Sequence, residues 1–121
     1  MQVYVLALFK DLDLLSVRDF RGEHIGVLEH LRTAVRAILQ AKWGLHSCKF
    51  RAYFHYHPNY WHAHVHFVAL SSAALSHRVL LLDDVIDNLK VDGEFYRKAE
   101  LTVNLAEGGA LHTRMVQFLE A

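Results

Sequence analysis

The stretch "HYHPNYWHAHVHF", residues 55–67, holds five of the ten histidines in a chain of 121 residues, and His62, His64 and His66 fall at every second position. Successive side chains of a strand point to opposite faces, so on a strand these three imidazoles share one face while Ala63, Val65 and Phe67 share the other. The apolar set can then face a core and the histidine set an open surface or cleft. Just upstream, "KFRAYFHYH" (residues 49–57) is rich in aromatic residues, and Pro58 and Asn59, which favour turns, separate it from "YWHAHVHFVAL" (residues 60–70). The two segments predict a β-hairpin with the triplet on its second strand and His55 and His57 on the first. Counting back from His62 along that strand gives Tyr60 the histidine face and Trp61 the core.

Outward from the hairpin, residues 2–9, "QVYVLALF", predict a buried strand. Between about Arg21 and Lys42, Ile25, Leu28, Leu31, Val35 and Ile38 recur at three- and four-residue steps, the stripe of an amphipathic helix. Gly22 and Gly26 weaken its first turn, and Gly44 is placed to end it. After the hairpin, Ser76 can cap a helix over residues 77–90 with Val79, Leu82, Val85, Ile86 and Leu89 as its apolar face. Leu101, Val103 and Leu105 alternate with Thr102 and Asn104 as in a half-buried strand, and Gly108 and Gly109 turn the chain toward a helix at roughly 110–120. This order, β–α–β–β–α–β–α, predicts an α+β domain: a mostly antiparallel sheet with helices packed on one side.

Composition bounds the function. Thirteen Lys and Arg balance thirteen Asp and Glu, so there is no overall field to hold long RNA or DNA, whereas a small phosphorylated ligand in a local site is compatible. The 53% hydrophobic content supports a packed core in one domain, and the apolar run at the start is too short for a membrane span or a signal segment. Cys48, the single cysteine, fits a reducing compartment, so the expected location is cytoplasmic or nuclear; a buried apolar role suits it better than that of a nucleophile.

Three chemistries compete for the histidine row. It can be the solvated polar face of a hairpin, although five histidines beside Tyr60 and Trp61 exceed what such a face needs. It can hold zinc, since histidines at i and i+2 on a strand reach one ion, yet no Asp, Glu or Cys occurs between Phe50 and Leu82 to complete the set. Or it can line up along a polyphosphate, the rings ~6.6–6.8 Å apart along the strand, one acting as nucleophile and another supplying a proton.

"HAHVHFV" (residues 62–68) fits His-φ-His-φ-His-φ-φ, with φ apolar, and so resembles the signature of the histidine triad superfamily of nucleotide hydrolases and transferases. With "SVRDFRGEHIGVLEHL", "DDVIDNL" and "FYRKAELTVNL", nearly the whole chain is similar to the C-terminal domain of the scavenger mRNA decapping enzymes. The resemblance implies a histidine-triad-like fold and metal-independent hydrolysis, with no cofactor, of residual 7-methylguanosine caps, as free dinucleotides or on short oligonucleotides. The products would be 7-methylguanosine monophosphate and a 5′-diphosphate.

By that resemblance His64 is the nucleophile that forms a phosphohistidine, His66 lies near the phosphates, and His62 orients or polarises the nucleophile by hydrogen bonds. The nucleophilic ring needs its attacking nitrogen free and the other donating, as to a backbone carbonyl. His55, Asn59 and Tyr60 stand where the family touches phosphates or ribose, Asn59 replacing a small hydroxyl residue, and Arg78 matches an arginine that steadies phosphate charge. The resemblance also implies a homodimer. The family's N-terminal domain, which closes over the cap, has no counterpart in residues 1–121, so the expectation is a single catalytic domain that forms the phosphohistidine but binds caps poorly. A general histidine-triad nucleotide hydrolase and a non-catalytic binding or dimerisation module are the alternatives.

Overall fold

Four antiparallel strands carry the site in the computed structural model, which describes residues 3–46, 49–70, 79–103 and 108–120. They are β1 (Tyr4–Leu8), β2 (Phe50–His55), β3 (His64–Ala69) and β4 (Val79–Leu81), arranged β1-β3-β2-β4. The predicted hairpin is therefore the centre of the sheet, β3 lying between β1 and β2. Register fixes the faces: His66 is opposite Leu6 on one side and Tyr53 on the other, and Tyr53 is in turn opposite Leu81. Residues directly opposite one another share a face. Tyr4, Leu6 and Leu8 thus lie with His64, His66 and Val68, whereas Val5, Ala7, Phe54, Val65 and Phe67 lie beneath.

The second face is the core face. Val65, Phe67 and Ala69 of β3 and Phe54 of β2 pack with Leu28, Val35 and Leu39 of α1 (Ile25–Trp43) and with Leu82, Val85, Ile86 and Leu89 of α2 (Leu82–Val91). Each of these large side chains contributes about 1.5–3 kcal/mol of transfer free energy. Phe20 joins them, its ring 5.0 Å from Phe9 and 5.3 Å from Phe54. A short helix, α3 (Phe95–Lys98), is tied to the strand end below the histidines by Arg18. Its guanidinium donates to the carbonyls of Tyr96 (3.0 Å) and Ala99 (2.6 Å) and to the Tyr56 hydroxyl (3.3 Å). A terminal helix, α4 (Ala110–Glu120), coincides with the predicted one. Among the described residues no helix is long and apolar enough to cross a membrane.

The α+β architecture follows the expectation, and several boundaries do not. The first strand is not buried: Tyr4, Leu6 and Leu8 are exposed and Val5 and Ala7 are half-buried against the core. α1 begins at Ile25, because residues 22–24 form a 3-10 turn in which Gly22 lies against Gly93, its N–H donating to the Gly93 carbonyl (3.0 Å). A side chain on Gly93 would approach the Gly22 backbone to 3.2 Å. Leu39 faces the core in place of Ile38, which is exposed. At about 100° per residue, Leu39 returns to within about 20° of Leu28, whereas Ile38 falls about 80° away. Gly44 ends α1 as expected, at φ 66° with its N–H on the Gln40 carbonyl (2.9 Å).

The second helix starts at Leu82, later than predicted, because Val79–Leu81 pair with β2 as a strand. Ser76, the predicted cap, lies outside the described residues, as does Cys48. Leu101–Val103 form no strand; Leu101 packs against the core instead, and residues 104 and 105 lie outside the described residues.

Candidate active site

The three triplet histidines have three different partners, and each partner sets what its ring can do. His62 precedes β3 and turns aside: its Nε2 donates to the backbone carbonyl of Phe9 (2.5 Å). His64 opens β3, and its Nδ1 donates to the backbone carbonyl of His62 (2.6 Å). In the neutral ring that leaves the lone pair on Nε2. His66 is the most enclosed of the three, with 9% of its surface exposed.

The His66 ring sits in a cage of rings. Tyr53 stacks on it at 5.1 Å and 15°, His55 lies 4.4 Å away, and His64 lies 4.9 Å away, nearly edge on. The Tyr4 hydroxyl meets Nδ1, while Nε2 is buried with no hydrogen-bond partner among the described residues. Burial, followed by the charges that His55 and then His64 would carry, pushes its pKa from the ordinary value down to about 4, so the ring is neutral at pH 7. Burial, with a smaller contribution from Tyr53, raises that of Tyr4, which keeps its proton.

Rings on this face lie closer than the strand repeat alone requires, because His64 and His66 lean together. His55 joins them from β2. His57 does not: its ring packs against Trp61 at 4.6 Å, beyond the end of β2. Tyr60 is 67% exposed, with its ring 6.4 Å from His62, and Asn59 is exposed in the same connection. Trp61 is 44% exposed, contrary to its expected place in the core. The alternation on which that expectation rested starts only at His64, since residues 56–63 form an irregular link and not a strand. Arg78 lies outside the described residues. Among the described residues no three His, Cys, Asp or Glu side chains converge as metal ligands would.

Tyr4, Tyr53 and the Phe9 carbonyl are parts of the site that the sequence reading did not find. The alternation Tyr4-Val5-Leu6-Ala7-Leu8 carried a signal for the first of them, but only the strand order brings it beside His66.

Residues 1–80, which include the whole hairpin, match the family described as "Scavenger mRNA decapping enzyme C-term binding". The chain belongs to the scavenger mRNA decapping enzyme family. It is 38% identical over 122 residues to an m7GpppX diphosphatase of Caenorhabditis elegans, covering 98% of this chain and 38% of that protein. An m7GpppX diphosphatase of Ascaris suum is 37% identical over 115 residues, covering 93% of this chain and 38% of that protein. The Homo sapiens m7GpppX diphosphatase is 36% identical over 107 residues, covering 85% and 32% respectively. The chain thus spans about a third of the length of the scavenger decapping relatives it matches, and its antiparallel sheet with the histidine row fits the histidine-triad-like fold of that family.

Proposed function

We propose that this chain hydrolyses residual 7-methylguanosine caps, as dinucleotides or on short oligonucleotides, to 7-methylguanosine monophosphate and a 5′-diphosphate product, without a metal ion. The observation that carries the reading is the 2.6 Å hydrogen bond from His64 Nδ1 to the His62 carbonyl, which holds the ring with Nε2 free to attack. Family membership and the names of the relatives support the substrate class.

In this mechanism the Nε2 lone pair of His64 forms a bond to the phosphorus next to the methylated nucleoside. The bond from that phosphorus to its bridging oxygen breaks, and the electron pair leaves with the diphosphate product. Water then attacks the phosphohistidine, the nitrogen–phosphorus pair returns to Nε2, and the water proton passes to solvent or a neighbouring ring. His66 and His55 border the path of the phosphates. His62 acts on the nucleophile through its backbone carbonyl, while its own ring is held by Phe9. The balanced charge of the chain suits so short a polyanion.

The test is incubation with cap dinucleotide and separation of the products. Release of the methylated monophosphate is expected, reduced at least roughly a thousandfold in His64→Asn and unchanged by a chelator. Activity that disappears with the chelator sinks the metal-free mechanism. No turnover by the folded protein favours a non-catalytic binding module instead.

A further inference from the structure

We propose that Tyr4 is a positioning residue for His66: its hydroxyl donates to Nδ1, fixes the neutral ring as the Nε2–H tautomer, and so presents that N–H to a phosphoryl oxygen on the histidine face. This rests on the phosphoryl-transfer reading above and names the group that prepares the site for it.

The register makes the contact possible. Tyr4 is opposite Val68, two residues beyond His66 on the same face of β3. Diagonal neighbours on adjacent strands lie within reach of an aromatic side chain. The hydroxyl accordingly meets Nδ1, with the two rings 5.7 Å apart.

The direction of the bond follows from what surrounds each partner. Tyr4 is half exposed, so water can satisfy its oxygen lone pairs, and it keeps its proton. Nδ1 belongs to a buried ring whose other ring contacts among the described residues are with Tyr53, His55 and His64. A donating hydroxyl leaves the proton of the neutral imidazole on Nε2.

That nitrogen is the second observation. It is buried, and no described group accepts from it. A buried N–H without an acceptor is unfavourable, and a phosphoryl oxygen reaching it between the neighbouring rings would supply one. Phosphoryl oxygens only accept, so they match an N–H and repel a bare lone pair. The tautomer therefore decides whether this point of the sheet attracts a phosphate. It does so without a charge, which suits a ring held neutral by burial.

Nitrogen-15 NMR of the histidine rings in the 121-residue chain tests this directly. The expected wild-type spectrum has His66 with a protonated Nε2 and an accepting Nδ1 from pH 8 down to about pH 5. In Tyr4→Phe the expected spectrum is a mixture of tautomers. A wild-type ring protonated on Nδ1 overturns the proposal, as does an unchanged tautomer in Tyr4→Phe; if that variant fails to fold, the wild-type spectrum alone decides.

Binding of pyrophosphate supplies the functional arm. Tyr4→Phe is expected to weaken it roughly fivefold. In a His66→Gln background, where an amide N–H replaces Nε2–H, Tyr4→Phe is expected to change nothing. Equal weakening in both backgrounds means that Tyr4 acts on its own, and overturns the assignment. Absent cap hydrolysis with the Nε2–H tautomer in place refutes the proposed function only; hydrolysis with the opposite tautomer refutes this proposal only.

Discussion

The two faces of β3 are both shielded from water, but by different means. Val65, Phe67 and Ala69 are covered by the apolar side chains of α1 and α2, so burial there comes from a second layer of structure. His66 is covered by Tyr4, Tyr53, His55 and His64, side chains of the same sheet. Burial beneath helices removes apolar surface from water and contributes stability. Burial among rings holds one imidazole in one orientation and keeps it neutral at pH 7.

Breaking the first kind of burial has the largest expected effect on stability. Phe67 is 1% exposed and belongs to the apolar cluster, so Phe67→Ala leaves a cavity that its neighbours fill only in part. A loss of about 3–5 kcal/mol is expected in urea unfolding. A loss below about 1 kcal/mol would mean that the helices do not pack on this face as described.

The second kind of burial is sharpened by pH. His66 has a folded-state pKa of about 4, against about 6.5 in an unfolded chain. Between those values the unfolded chain binds more protons, so stability rises with pH across this window. The contribution is fully present above about pH 6.5 and is lost as pH falls toward 4. Because the neighbouring rings are partly solvated, about 2 kcal/mol is expected and not the full value. Other histidines titrate in the same range, so the measurement is the difference between wild type and His66→Leu at pH 7 and pH 4.5. If the two lose stability equally on acidification, His66 is not the group responsible.

The comparison also shows why some features could be read from the sequence and others could not. Alternation within β3 is local, so the separation of His64 and His66 from Val65 and Phe67 was legible. The family signature named the triplet directly. The stripe of α1 was legible for Leu28 and Val35, but the choice between Ile38 and Leu39 depends on helix phase accumulated over ten residues. Val79–Leu81 read as helix because apolar periodicity cannot separate three strand residues from the helix that follows them; pairing with Tyr53–His55 decides it. Tyr4 was invisible as a site residue for a similar reason, since nothing within residues 2–9 says that β3 is their neighbour.

The smallest expected effect belongs to the residue that lies on neither face. Strand parity, continued back through residues 60–63, would bury Trp61 beside Val65 and Phe67, and in that position Trp61→Ala would cost about 3–5 kcal/mol. The strand begins only at His64, and Trp61 stands 44% exposed against the His57 ring, 4.6 Å away and nearly perpendicular. Losing one partly solvated edge-to-face contact of this kind is expected to cost about 0.5–1.5 kcal/mol. Unfolding Trp61→Ala and Phe67→Ala side by side therefore measures where the alternating pattern starts. Similar losses for the two would extend β3 back through the link, whereas a several-fold smaller loss for Trp61 fixes its beginning at His64, the proposed nucleophile, so that this half-buried ring stands at the start of the row and His66 in its enclosed interior.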